Sequence, residues 1–196
     1  MCNFCGNIIV PISTKEDHVK KFYILLSRTD TIPARVIRKA TGAHYSHTSF
    51  SLYPKTDHFY SYARRHIHLP IFSGFISEDI HTKVFAKYPN TPCELYEIEV
   101  SDEAYEKAKK LIKYFICHRK QATYSFWGAY AMPLGIPIKR MHKFTCSQFV
   151  AFILHYSGAC KLPKDPYLMM PDDFPTLKNA KLLYRGLLKN CKIENN

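Results

Sequence analysis

The run Thr145-Cys146-Ser147-Gln148 constrains the fold more tightly than any other part of the chain. Thr at a cap position with Gln three residues later is the signature of a capping box, so a helix must start here. Phe149, Phe152, Ile153 and Tyr156 form the apolar side of that helix, and Gly158 is its stop. Cys146 therefore takes the first helical position. Unpaired backbone N–H groups and the positive end of the helix dipole converge there. Such a place favours thiolate over thiol, and thiolate is the reactive form. One cysteine of seven is thus set up as a nucleophile.

At 196 residues with 46% apolar content, the chain is long enough for one domain with a real core. We expect a single domain over residues 1–196, with its core at about 20–185 and a loose tail over 187–196. No apolar run approaches the ~20 residues of a membrane span. The start, Met1-Cys2-Asn3-Phe4-Cys5-Gly6, lacks the basic and apolar regions of a signal peptide, so a cytoplasmic location is expected. Reduced thiols follow from that. Cys2 and Cys5 form a lone C-x-x-C without a second pair at zinc-ribbon spacing. Cys93, Cys117, Cys160 and Cys191 read as small buried hydrophobes. The net charge of +12 suits an anionic substrate or surface. No nucleic-acid-binding signature accompanies it.

Along the chain, Lys21 to Ser27 reads as a buried strand and Thr31 to Thr41 as a helix stopped by Gly42. Ser46 to Tyr53 and His58 to Arg64 read as a hairpin joined by Pro54-Lys55-Thr56-Asp57. Cys93 to Val100 alternates like a half-buried strand. Ser101 to Arg119 is the clearest helix, capped by Ser101 or Asp102. A short aromatic helix, Ser125 to Met132, follows; Phe126, Trp127 and Tyr130 read first as core and second as the lining of a cleft.

A helix-start cysteine needs a base, and His47 is the best placed of ten histidines. It opens a strand whose alternation fixes the ring direction. His44 lies in the preceding turn and His58 at the start of the next strand. A zinc site from His44, His47 and Cys146 is disfavoured, because the two histidines span a turn and no fourth ligand is evident. No metal and no cofactor is expected.

Four segments carry a resemblance: Ser27-Arg28-Thr29-Asp30, Ala40-Thr41-Gly42-Ala43, Tyr45-Ser46-His47, and Thr145 to Val150 about 100 residues later. Together they resemble the circularly permuted NlpC/P60 proteins, the YiiX-like branch of the papain-like cysteine hydrolases, in which histidine precedes cysteine. Phe59 to Arg64 and Ile71 to Ile76 also look like bacterial members of that group. The resemblance implies an α+β fold with a small antiparallel sheet packed on the nucleophile-bearing helix. It implies Cys146 as nucleophile and His47 as base, then acid. It also implies a cysteine hydrolase that cleaves an amide in a peptide, peptidoglycan-type or acyl-amino compound through a thioester. Family members carry a polar third group that orients the imidazole, often Glu, His, Asn or Gln. None is found at the matching place, where Ser61 stands with Tyr62 beside it. Tyr124 is a candidate oxyanion donor alongside the Cys146 backbone N–H, with Tyr62 a further substrate-side candidate. Acyl transfer of the lecithin:retinol acyltransferase type, and a binding module on the same fold, are the alternatives.

Overall fold

The computed structural model describes residues 19–29, 35, 38–39, 42–64 and 73–193. It is an α+β fold around one eight-stranded mixed sheet. The strands are β1 (Lys20–Ser27), β2 (His47–Ser51), β3 (Phe59–Arg64), β4 (Ser73–Glu78), β5 (Pro92–Val100), β6 (Thr123–Tyr124), β7 (Lys143–Phe144) and β8 (Ala180–Leu187). Their order is β7-β6-β4-β3-β2-β1-β5-β8, antiparallel throughout except for the parallel pair β6 and β7. The helices are α1 (Lys83–Lys87), α2 (Asp102–Cys117), α3 (Phe126–Ala131) and α4 (Cys146–Ser157). The sheet is larger than the small antiparallel one expected, because β4, β6, β7 and β8 join the strands legible in sequence. The helix expected over 31–41 lies mostly outside the described residues; Arg35, Arg38 and Lys39 are helical. Cys2 and Cys5 also lie outside them.

Strand alternation divides the core in two. Phe22, Ile24 and Leu26 of β1, with Phe50 of β2 and Tyr62 of β3, pack against α2 and α4 on one face. Tyr23 and Leu25 of β1, Phe59 of β3 and Leu95 of β5 meet Ile80, Phe85, Leu188 and Cys191 on the other. β5 is therefore covered on both faces rather than half-buried. Its buried carboxylates are neutralised across the sheet: Glu97 by Lys21 and Lys181, Glu94 by Arg185. The tail does not loosen at 187. After β8 a 3-10 turn, Leu188–Asn190, returns the chain to β5, with the Leu188 N–H donating to the Thr91 carbonyl. Leu188 and Cys191 are buried in the second core, which holds the chain in place as far as that point. Cys93 and Cys191 are buried as expected, Cys160 is half-buried, and Cys117 is exposed because it ends α2 on the solvent side.

The first core is rich in aromatic rings. Phe115 of α2 meets Phe149 at 5.3 Å, Phe144 at 5.8 Å, Phe75 and Phe152 at 5.9 Å, and Tyr62 at 6.2 Å. Phe149 lies one turn beyond Cys146, so this cluster sets the depth at which α4 rests on the sheet.

Candidate active site

Helix α4 starts where the capping box puts it. Thr145 Oγ1 accepts from the Gln148 N–H at 3.2 Å, and Gln148 Oε1 accepts from the Thr145 N–H at 3.0 Å. Gln148 is 1% exposed, and its Nε2 donates to the Tyr167 carbonyl at 2.7 Å. One side chain thus closes the helix start and ties it to the 3-10 turn at Pro166–Leu168. Replacing Gln148 with Ala is expected to cost about 1–3 kcal/mol, since it strands a buried carbonyl and opens the cap. Urea unfolding measures this, and an unchanged midpoint would contradict it.

His47 is the first residue of β2. Its approach is pinned by Asp172, whose carboxylate accepts from the backbone N–H groups of His44 at 2.5 Å and Tyr45 at 2.9 Å. Along β2, His47 and Ser49 project to the same face. The β2–β3 pairing of Phe50 with Tyr60 extends to set Ser61 opposite Ser49. The β3–β4 pairing brings Phe59 beside Glu78, one pleat further on the same face. A buried polar row results.

Glu78 is the decisive member. His47 Nε2 lies 3.2 Å from both Glu78 carboxylate oxygens. Ser49 Oγ donates to Glu78 Oε2 at 2.5 Å and lies 3.1 Å from His47 Nε2. With Nε2 engaged by the carboxylate, Nδ1 is the ring nitrogen left for another partner, and the Cys146 side chain lies near enough to help raise the imidazole pKa. Burial disfavours the imidazolium, but the Glu78 charge, the Cys146 sulfur and the hydrogen bonds outweigh it and push the His47 pKa up to about 10. Burial likewise works against the Glu78 carboxylate. The charge of His47 and hydrogen bonds from His47 and Ser49 overcome it and hold Glu78 below the ordinary carboxylate range.

Ser61 was expected beside the imidazole, but the side chains that contact His47 Nε2 are those of Glu78 and Ser49. Ser61 is buried beside the carboxylate, not on the imidazole, and closes no hydrogen bond of ordinary geometry. Glu78 was legible only as a charged residue closing the run Gly74-Phe75-Ile76-Ser77. Tyr62, expected on the substrate side, is buried in the aromatic core. It is 0% exposed, and its ring packs among Phe75, Phe115, Phe144 and Phe149. Tyr124, on β6, does lie near the sulfur: burial first and the Cys146 charge second push its phenol pKa up. His58 pairs with Asp57 on the surface, and His44 is exposed with its ring against Tyr45. Among the described residues, no group of three or more His, Cys, Asp or Glu side chains is gathered to hold a metal. No helix of the described residues is long and apolar enough to cross a membrane.

Helix α3 closes over the start of α4. A Cβ on Gly128 would stand 2.6 Å from Ser125 Oγ and 3.1 Å from the Gln148 amide, so only glycine permits this approach. Phe126, Trp127 and Tyr130 of the same helix are not core as first read; they are exposed, because α3 buries Gly128 and turns its rings outward. No known family model and no curated protein matches the chain.

Proposed function

We propose that the protein is a thiol hydrolase that cleaves an amide through a thioester, using Cys146, His47 and Glu78. One observation carries the reading: a largely buried imidazole, its side chain 12% exposed, flanked by a helix-start cysteine and by a carboxylate from a different strand. Three groups from α4, β2 and β4 meet there although 99 residues separate the first two in sequence. His47 carries the proton taken from Cys146. The thiolate attacks the carbonyl carbon, and negative charge collects on the carbonyl oxygen. The Cys146 backbone N–H at the helix start is one donor for that oxygen, and Tyr124 is the side-chain candidate for a second. Collapse expels the amine, which takes the proton from His47. Water then gives a proton to His47, and its hydroxide attacks the thioester. The acid leaves and the thiol is restored.

Glu78 holds the imidazole in one orientation and stabilises its charged form, the part a neutral serine would play only weakly. The order of histidine before cysteine, and the sheet packed on the cysteine helix, support a permuted papain-like architecture of the NlpC/P60 type. The resemblance to that group favours an amide over other acyl compounds.

Iodoacetamide labelling near neutral pH tests the proposal. Cys146 is expected to react faster than the exposed Cys117, and His47→Ala should remove that advantage. Cys146→Ala should abolish turnover of an amide substrate while altering stability by no more than about 1–2 kcal/mol. A Cys146 thiol no more reactive than Cys117 would overturn the enzyme reading and leave a binding module.

A further inference from the structure

The net charge of +12 is concentrated along the chain. From residue 107 to residue 164 there are eleven Lys or Arg and no Asp or Glu. The same stretch holds a dense group of outward-facing apolar side chains. Trp127 is 71% exposed, Tyr130 75%, Leu134 74%, Ile136 54% and Met141 60%, all between β6 and β7. Scattered single hydrophobes on a surface need no explanation, but a cluster in fifteen consecutive residues does. Exposed Lys139, Arg140 and Lys143 follow directly in sequence, and Lys139 also bonds Asp165 at 2.7 Å. Arg119 and Lys120, at the end of α2, lie by the same loop, because the His142 carbonyl accepts from Thr123 N–H and Tyr114 Oη meets His142 Nε2 at 3.1 Å.

Apolar and aromatic side chains flanked by cations, with Asp165 on Lys139 as an acidic neighbour, match the interface of an anionic bilayer. Trp and Tyr rings sit at headgroup depth, aliphatic side chains reach the acyl boundary, and Lys and Arg meet the phosphates. A protein partner of ordinary composition would leave these cations without a uniform counter-charge, whereas an anionic lipid surface supplies one. We propose that the segment 126–143 docks the protein onto anionic phospholipid membranes. Its position has a consequence for the site. Gly128 touches the Gln148 side chain, and β7 leads straight into Cys146, so a docked molecule carries the Cys146 end of α4 at the lipid–water boundary. Docking is read without turnover and stands apart from the thiol chemistry.

Trp127 is the chain's only tryptophan, which makes it a built-in probe. With the full chain and vesicles of phosphatidylcholine and phosphatidylglycerol, Trp127 emission is expected to shift to the blue and the protein to sediment with the vesicles. Pure phosphatidylcholine should give neither, and raising salt to about 0.5 M should weaken the binding by screening. Trp127→Ser combined with Leu134→Ser, and separately Arg140→Glu with Lys143→Glu, should each lower vesicle partition at least about tenfold. All four side chains point to solvent, so the fold should survive, and circular dichroism checks that. Unchanged emission and no sedimentation with anionic vesicles would overturn the proposal. So would emission already blue without lipid together with concentration-dependent self-association, which would assign the face to a second copy. Binding unaffected by Trp127→Ser with Leu134→Ser would reduce it to charge alone and overturn it equally.

Discussion

Glu78→Gln is expected to lower the pKa of the His47 imidazole from about 10 to its ordinary value of 6.5 or below. Glutamine fills nearly the same space but carries no charge. Burial, which already opposes the imidazolium, then acts without the carboxylate that outweighs it. At pH 7 the ring becomes neutral, and Cys146 labelling by iodoacetamide should slow at least about tenfold. The alkaline limb of the labelling profile should move down with the imidazole. Nuclear magnetic resonance titration of the His47 ring reads the shift directly. An unmoved titration in Glu78→Gln would remove the carboxylate from the site.

Stability should follow the same pair. The folded pKa of His47 lies above its unfolded value of 6.5, so its contribution is complete below about pH 6.5 and fades as pH rises toward about 10. Glu78 is shifted the other way. Its contribution is complete above the ordinary value of 4.5 and is lost as pH falls through its lower folded pKa. The pair therefore stabilises most between about pH 4.5 and 6.5. Glu78→Ala leaves His47 without its buried counter-charge and should cost about 3–5 kcal/mol in that range, with less loss at pH 10. A cost independent of pH would mean that packing, not charge, dominates at this position.

The capping box and its helix were readable from residues 145–158 because both signals are local: a cap pair three residues apart, an apolar stripe and a glycine stop. The Gly158 φ of +77° is the left-handed stop that the sequence implies. His47 was identifiable because it opens a strand with strong alternation. Glu78 was not, for a physical reason. A carboxylate at the end of a strand looks like an ordinary solvated charge, and only the pairing of β4 with β3 buries it against an imidazole 31 residues away. Ser61 held the expected position on the second hairpin strand, yet the carboxylate that meets the imidazole comes from the next strand over. The pairs β6 with β7 and β5 with β8 were also hidden. Two-residue strands carry no period to detect, and Ala180–Leu187, an edge strand, presents mixed residues to both faces. The outward turn of Trp127 and Tyr130 was hidden as well, since α3 is too short for its buried side to be told from its exposed one.

Phe115→Ala should be the most damaging single truncation in the core. The side chain is 0% exposed and touches five rings that come from β3, β4, β7 and α4. Removing it costs the burial of an aromatic ring, its edge contacts and a cavity that rigid neighbours cannot fill, together about 3–5 kcal/mol. Phe115→Leu, which refills most of the volume, should cost less than half as much. The effect should also reach the sulfur. Phe149 leans on Phe115 and lies one turn from Cys146, while Phe144 precedes Cys146 by two residues, so a void there loosens both supports of the helix start. Labelling of Cys146 well below the unfolding temperature should therefore slow in Phe115→Ala, while Cys117 at the exposed end of α2 keeps its rate. If stability falls by the stated amount and Cys146 reactivity does not change, α4 is held by its cap and by Gln148 alone, and the aromatic cluster supports the fold without positioning Cys146.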